Sequence, residues 1–457
     1  MSNKNFEYGT RLGTPTKRPS PDAINAPANC GFDPTLYHII IIGQSNGTGA
    51  DAITAAGFST PSAPVSPIPY YRSKSGQPTR MMLSLGVRAG GSTTNGKSSS
   101  KGTGTVLPES LTYDLQPLAE ANDGDSPSNH AETLGWGLSY RLGQFGISTI
   151  VSSSCGDGLR YNQMNKGTAY YNNTLRLVNA AYQLAKRAGR PYKVLCLVAS
   201  HGEADQSFSV TGYAGSLATW RSDYERDIRS ITGQSDDLIL YGDQQISGAP
   251  NQTGRFAGGT STSLQWWLAN KADPNRVVLM GPRYNLTPRQ TDGSPIHLSP
   301  WGQREQGERY AMAIYRHQFL RASFPYRPVA PIPGQVNRSG TTVTANFYCP
   351  VPPLQLAYDY VGRLPSPLLG FTYYDDSGSP PTVTAVSQTG PTQLQFTLSG
   401  TPTGTAPSEA LRGGFGTTGR YVFGGDSLTN LCDSEKLISF GGVPLRNWCI
   451  NFHEAVT

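Results

Sequence analysis

The sequence predicts an α/β fold, a parallel β-sheet covered by helices on both faces, followed by a separate all-β domain. Four consecutive isoleucines, residues 39–42, form an unbroken apolar run that is typical of a strand buried on both faces. From about residue 131 to 320, strand and helix patterns alternate, as they do around parallel sheets. Beyond a proline-rich stretch, only short β-type runs between turn residues follow.

The chain length predicts more than one domain. Its 457 residues exceed a typical single domain, and 37% hydrophobic residues are enough for real cores. The 52 glycines and 35 prolines indicate many turns and long loops. We therefore expect an extended N-terminal arm, an α/β domain with a long loop insertion, a proline-rich linker and a β-sandwich, at residues 1–36, 37–322 (insertion about 51–130), 323–335 and 336–457.

Charge and hydropathy argue against nucleic-acid and membrane partners. The net charge of +6 is mild over this length, and no Lys/Arg cluster has the density of a nucleic-acid site. No apolar run reaches the ~18 residues of a transmembrane helix. Residues 1–36 are polar and proline-rich, with no apolar core after a charged start, so they do not resemble a secretory signal. The expected location, extracellular or virion-associated, would then mean a leader trimmed from the sequence as given, host lysis, or incorporation into a phage particle.

The six cysteines predict neither a zinc site nor a disulfide scaffold. None forms a CxxC pair, so we expect no metal and no cofactor. Their sparse, uneven spacing differs from that of disulfide-rich domains. Cys196 lies in an apolar run and is expected to be a buried thiol.

The first strand leads into a tight turn. Gly43 and Gly47 flank Ser45 and allow the chain to reverse sharply after the isoleucine run. A serine on such a turn is lifted to the carboxyl edge of the sheet, where open α/β folds place their ligands. Because most turns of this kind are structural, Ser45 needs partners from elsewhere in the chain.

The remaining elements follow in order. Within the insertion, residues 90–102 are of low complexity, and we expect the insertion to form a wall or flap of a substrate groove. A short helix begins near Ala131. Later strands are predicted at Ile147–Ser152, Tyr192–Ser200, Leu238–Gly242 and Arg276–Gly281, with helices at Ala169–Arg187, Tyr213–Ile231 and Trp301–Phe319. In the C-terminal domain, strands are predicted at Thr341–Tyr348, Leu369–Tyr374, Thr382–Val386, Leu394–Leu398 and Arg420–Phe423.

Three polar stretches fall at strand ends or just before the last helix: residues 152–158, 199–206 and 291–307. Strand ends converge on one edge of a parallel sheet, so Ser45 could meet side chains distant in sequence. A serine hydroxyl needs a base to take its proton, and an imidazole oriented by a carboxylate serves near neutral pH. Among six histidines, His297, shortly after Asp292, is the best candidate for this base.

Four blocks resemble the successive motifs of SGNH-type esterases. They read Gly-Gln-Ser-Asn at 43–46, Cys-Gly-Asp-Gly at 155–158, His-Gly-Glu-Ala-Asp at 201–205, and Asp292-Gly293 with His-Leu-Ser at 297–299. The branch with a Gly-Gln-Ser-Asn block is the sialate O-acetylesterase-like carbohydrate esterases. The resemblance covers about residues 37–320. It implies a three-layer α/β/α sandwich of the flavodoxin-like type and metal-free removal of acetyl groups from sugars.

The same resemblance implies roles for individual residues. Ser45 would be the nucleophile, His297 the general base and then acid, and Asp292 the carboxylate that orients it. The oxyanion hole would comprise the Ser45 and Gly156 N–H groups and the His201 side chain, each such donor being worth about 2.7–4 kcal/mol. Supporting roles fall to Gln44, Asn46 and Glu203.

Two positions leave alternatives open. The family's last block usually reads Asp-x-x-His, whereas four residues separate Asp292 from His297 here. A Ser–His dyad, or another carboxylate such as Asp205, would replace Asp292. His201 could instead simply cap a strand end.

The resemblance predicts a serine esterase that removes O-acetyl groups from a polysaccharide through an acyl-enzyme. The expected partner is an acetylated glycan, with the C-terminal β domain as a binding or assembly module. A general short-chain acyl esterase is the first alternative. The second is a phage tail component or adhesin that carries an esterase domain.

Overall fold

The structure is a computed structural model. It describes residues 34–48, 82–84, 116–117, 133–156, 158–207, 212–244, 262–286, 297–320, 326–357, 369–405, 408–415 and 428–457. The predicted arm 1–36 lies almost wholly outside these residues, as do the low-complexity segment 90–102, the predicted strand at 420–423, and Asp292. Among the helices described, none is long and apolar enough to cross a bilayer.

A seven-stranded sheet forms the centre of the α/β domain. Its strands are β1 (Leu36–Gly43), β2 (Met82–Ser84), β3 (Gln116–Pro117), β4 (Thr149–Cys155), β5 (Tyr192–Ser200), β6 (Ile239–Gln244) and β7 (Val277–Pro282), in the spatial order β3-β2-β4-β1-β5-β6-β7. All neighbours pair in parallel except β2 with the edge strand β3. The isoleucine strand β1 is therefore central, as predicted, and the predicted insertion contributes β2 and β3.

Among the described residues, six α-helices accompany the sheet: α1 (Ser45–Thr48), α2 (Thr133–Gln144), α3 (Ala169–Arg187), α4 (Gly212–Thr232), α5 (Thr262–Ala272) and α6 (Pro300–Ile314). A π-helical turn at Tyr315–Phe319 continues α6. Alternate residues of β1 enter different cores. Ile40 and Ile42 pack with residues of α3, α4 and α5, whereas Ile39 and Ile41 pack with α2 and α6. This confirms the predicted three-layer α/β/α arrangement.

Helices α2 and α6 pack backbone against backbone. A Cβ atom on Gly137 would lie 2.1 Å from the carbonyl oxygen of Arg304, and one on Gly307 would lie 2.1 Å from that of Leu134. Both positions therefore need glycine for lack of space. This close packing fixes α6, whose start follows His297, against α2.

The C-terminal region contains two antiparallel sheets and a short third pair. Its strands are β8 (Ala330–Ser339), β9 (Thr342–Tyr348), β10 (Gln355–Leu356), β11 (Phe371–Tyr374), β12 (Val383–Gly390), β13 (Gln393–Leu398), β14 (Ala410–Gly413), β15 (Leu431–Cys432) and β16 (Phe452–Ala455). The orders are β12-β13-β9-β8, β11-β14-β16 and β10-β15. Phenylalanines from the two larger sheets meet between them, with Phe371 and Phe396 centroids 5.1 Å apart. The predicted β-sandwich is confirmed.

Strand β8 begins at Ala330, inside the predicted linker 323–335. Pro331 and Pro333 lie within this strand, and the register shifts between Pro331 and Val336. An edge strand tolerates prolines because one side of its backbone needs no donor. Proline content alone therefore predicted a linker where the structure has a strand.

The β-sandwich is closely attached to the α/β domain. Gln244, at the end of β6, exchanges two hydrogen bonds with the backbone of Asn451, at 2.6 and 2.7 Å. The Tyr284 hydroxyl donates to the Cys449 carbonyl oxygen at 2.5 Å. The two regions share one continuous apolar core.

Candidate active site

The turn after β1 presents Ser45 at the carboxyl edge of the sheet. Gly43 has φ +133°, and a Cβ there would lie 2.2 Å from the Ser200 carbonyl oxygen, so only glycine fits. Ser45 begins the single turn α1. Gln44 and Asn46 are buried at 2% and 1% exposure, while Ser45 between them is partly exposed. The turn therefore leaves Ser45 partly accessible between two buried residues.

Gln44 ties this turn to the end of β5. Its backbone N–H donates to the Ser200 carbonyl oxygen at 2.9 Å, and its side-chain Oε1 accepts from the Gly202 N–H at 2.9 Å. These two hydrogen bonds hold the residue before Ser45 from both sides. The supporting role of Gln44 in the site stays a prediction.

Asn46 joins the Ser45 turn to the His297 segment. The Leu298 backbone N–H donates to Asn46 Oδ1 at 3.1 Å. Ser45 precedes Asn46 and His297 precedes Leu298, so the residues next to the predicted nucleophile and base are hydrogen bonded to each other, although 252 positions separate them. The structure brings these two predicted segments together.

The local sequence fixes His297 just before the last helix. Leu298 is fully buried, and Ser299 is the N-cap of α6, its Oγ accepting from the Gly302 N–H at 3.1 Å. His297 itself is partly exposed. Its backbone is thus attached to a capped helix start, and the Nδ1 atom of its ring is buried.

Gly156 is already hydrogen bonded. Its N–H donates to the Gly43 carbonyl oxygen at 2.9 Å, which extends the pairing of β1 with β4. This contact does not support the predicted use of that N–H for an oxyanion. The packing of Gly156 against Leu159 and Tyr170 gives the residue a clear structural role, since a Cβ would lie 2.3 Å from the Leu159 side chain.

His201 is fully buried and surrounded by aromatic rings and Asp205. Its Nδ1 lies 2.9 Å from the Tyr213 hydroxyl, its Nε2 lies 3.4 Å from Asp205 Oδ2, and its ring meets that of Trp220 edge to face. Burial lowers the pKa of His201 to about 3, so the ring is neutral at pH 7. These contacts favour the structural alternative for His201 over an oxyanion role.

Asp205 belongs to the same structural cluster. It is 1% exposed, and both of its carboxylate oxygens accept from the Tyr161 N–H, at 3.0 and 3.3 Å. Burial raises its pKa to about 6. The contacts link His201 to the segment after β4, so they give Asp205 a partner other than His297.

A buried ionic network links the strand ends near the Ser45 turn, and most of its members were not predicted from the sequence. Arg283, fully buried just after β7, donates to Glu203 at 2.5 Å and to Ser200 Oγ at 2.8 Å, and lies 2.7 Å from Asp243. Gln306 of α6 donates to Asp243 at 2.5 Å. Burial opposes the charge on Arg283, but the two carboxylates raise its pKa above the ordinary value.

This network continues to Asn46. The Asn46 Nδ2 atom lies 3.5 Å from Glu203 Oε1, the oxygen that also accepts from Arg283. The ends of β5, β6 and β7 are thereby linked to the Ser45 turn and, through Leu298, to the His297 segment. The one sequence signal for this network was the position of Arg283, a charged residue directly after a buried strand at the carboxyl edge of the sheet.

The described residues were also searched for metal-binding clusters and for disulfides. No group of three or more His, Cys, Asp or Glu residues there has the arrangement of a metal site. The five cysteines among the described residues are free thiols. Cys196 is fully buried, as predicted, and burial raises its pKa.

Comparison with solved structures finds this architecture elsewhere. XAC1771 of Xanthomonas citri, described as a novel carbohydrate acetylesterase, matches with a TM-score of 0.50 at 14% identity, covering 91% of this chain and 80% of that one. The chain shares the fold of that protein. An Arabidopsis thaliana protein matches with a TM-score of 0.39 at 13% identity, covering 61% of this chain and 98% of that one.

Comparison of the amino-acid sequence with family models and with curated proteins finds no relative. No family model matches the chain, and no curated protein matches it. The XAC1771 match covers 91% of the chain, so it extends into the β-sandwich as well as the α/β domain.

Proposed function

We propose that this protein is a serine esterase of the SGNH type that removes O-acetyl groups from a carbohydrate. The observation that carries the proposal is the 3.1 Å hydrogen bond from Leu298 N–H to Asn46 Oδ1, which ties the Ser45 turn to the His297 segment. The shared fold with a protein described as a carbohydrate acetylesterase supports the substrate class. The four sequence blocks at 43–46, 155–158, 201–205 and 292–299 support the same chemistry.

In the proposed reaction, His297 takes the proton of Ser45 as the hydroxyl oxygen attacks the acetyl carbonyl carbon. The tetrahedral oxyanion collapses to an acetyl-enzyme as the sugar oxygen leaves with the proton held by His297. Water, deprotonated by His297, then attacks the acetyl group, and acetate and free Ser45 result. Asp292 would orient the imidazole.

The chain's own contacts support the following auxiliary roles. Gln44 and Asn46 hold the turn on both sides of Ser45, and the Ser45 N–H remains our proposed oxyanion donor. The Arg283 network would keep Asn46 in place through Glu203. The partner would be an acetylated glycan outside the cell or on a virion surface.

The test is acetate release by wild-type protein and by Ser45→Ala, His297→Ala and Ser235→Ala. Ser235 lies in the turn before β6, away from the site segments, and serves as the matched serine control. Acetylated oligosaccharides and an aryl acetate are both supplied. We expect Ser45→Ala and His297→Ala to lose at least about 10³-fold in rate, because nucleophile and base act as a unit. Full activity of Ser45→Ala would overturn the proposal.

A further inference from the structure

A cavity of about 190 Å³ lies where the start of α6 meets the β-sandwich. Its α6 wall comprises Trp301, Arg304, Glu305 and Glu308, and its opposite wall comprises Ser439, Gly441 and Val443. The cavity is thus formed by the two domains together. It adjoins the proposed catalytic centre in sequence, since Trp301 follows His297 by four residues, a span of at most about 14 Å.

Trp301 gives this cavity an aromatic wall. Its side chain is 38% exposed, in contrast to the fully buried tryptophans Trp136, Trp220 and Trp266. The indole lies near parallel to the Phe440 ring, with an interplanar angle of 16°, and the Arg304 guanidinium carbon lies 4.9 Å from its centroid. These contacts hold the ring in one orientation, so a ligand that stacks on it meets a rigid surface.

The polar lining is fixed and nearly balanced in charge. Arg309 donates to Glu305 at 2.7 Å, and Glu308 accepts from Arg141 at 2.5 Å and from the Phe440 N–H at 2.8 Å. The carboxylates are therefore held by buried arginines, and carboxylate oxygens accept more than one hydrogen bond each. A neutral ligand with several hydroxyl groups and a flat apolar face suits such a lining better than an ion.

We propose that this cavity is a sugar-binding subsite, in which a sugar ring of the glycan stacks on Trp301 and its hydroxyls donate to Glu305 and Glu308. The inference rests on the proposed function and extends it. It assigns the β-sandwich a direct part in substrate binding, because residues 439–443 close the cavity. The acetylated residue at Ser45 would then be a neighbour of the sugar that occupies the cavity.

The test compares kcat/KM for oligosaccharide and aryl acetate. The probes are partially O-acetylated gluco-, galacto- and xylo-oligosaccharides, of which the fastest is used, and an aryl acetate with no sugar. We expect Trp301→Ala to lower the ratio of the two kcat/KM values roughly tenfold, mostly through KM for the oligosaccharide. Trp301→Phe, which keeps a flat ring, should restore part of the ratio.

A second variant tests the subsite independently, in case Trp301→Ala fails to fold. A Cβ on Gly441 would lie 3.4 Å from Trp301 Cε3, an ordinary contact, so Gly441→Leu fills the cavity without removing a side chain. It should lower the same ratio. Leu268→Ala, at a leucine of α5 that is 41% exposed, is the matched control and should keep the wild-type ratio.

The outcomes separate the subsite from the esterase activity. A ratio within twofold of wild type in both Trp301→Ala and Gly441→Leu would overturn the subsite while the esterase proposal stands. Wild-type protein that releases acetate from no probe would overturn the proposed function, and the subsite inference with it.

Discussion

Replacing Arg283 with methionine should destabilise the protein strongly. The guanidinium is fully buried and holds two carboxylates, Glu203 at 2.5 Å and Asp243 at 2.7 Å. Methionine has a similar length but no charge, so both carboxylates would lose their cation in a buried site. Breaking a buried pair in this way costs about 3–5 kcal/mol, and we expect the upper part of that range because Asp243 is itself fully buried.

The assay is urea unfolding at pH 7, followed by intrinsic fluorescence. Arg276→Met is the matched control, because Arg276 also faces two carboxylates, Asp237 and Asp273, but is 44% exposed. Surface pairs of this kind contribute about 0–1 kcal/mol. Adding Asp243→Asn to Arg283→Met should recover part of the loss by removing one uncompensated charge. The reasoning is refuted if Arg283→Met costs no more than Arg276→Met.

Three further predictions follow from local contacts. Gly307→Ala should lower the free energy of unfolding by about 1–3 kcal/mol or more, because its Cβ would meet the Leu134 carbonyl oxygen. The control Gly215→Ala, on the exposed face of α4, should raise that free energy by about 0.5–1 kcal/mol. Similar effects of the two substitutions would contradict the close packing of α2 and α6. Burial lowers the pKa of His38 from 6.5 to about 3, so the folded state binds fewer protons and stability should fall as the pH drops from 6.5 towards 3. His38→Gln should flatten that fall in pH-dependent unfolding curves, and an unchanged slope would contradict it. Asn46→Ala should lower kcat/KM for acetyl esters roughly 10–100-fold through misalignment, and undiminished activity would show that its bond to Leu298 does not align the site.

The sequence predicted the parts of the fold that depend on local pattern. The isoleucine run was recognisable as a central strand because a parallel sheet buries both faces. Helix α3 was predicted at Ala169–Arg187, where the structure has it, because its apolar residues recur at helical spacing. Helix α5 was missed because polar and apolar residues are mixed around it and eight of its eleven residues are buried, so no separate apolar face appears at helical spacing.

The candidate site was only partly predictable. Tight turns and motif order indicated Ser45 and His297, since their chemistry needs particular residue types. The Arg283 network could not be found in this way, because its members come from four separate segments and pair only through the fold. Gly156 and His201 matched a motif, but the partners that the structure gives them are set by tertiary packing, which spacing does not report.

The most direct measurement of the central claim is covalent labelling with a fluorophosphonate, followed by peptide mapping by mass spectrometry. We expect one adduct, on the peptide that contains Ser45, and none in Ser45→Ala. We also expect much slower labelling in His297→Ala. An adduct on a different serine, or acetate release by wild-type protein that resists labelling, would contradict the proposed mechanism.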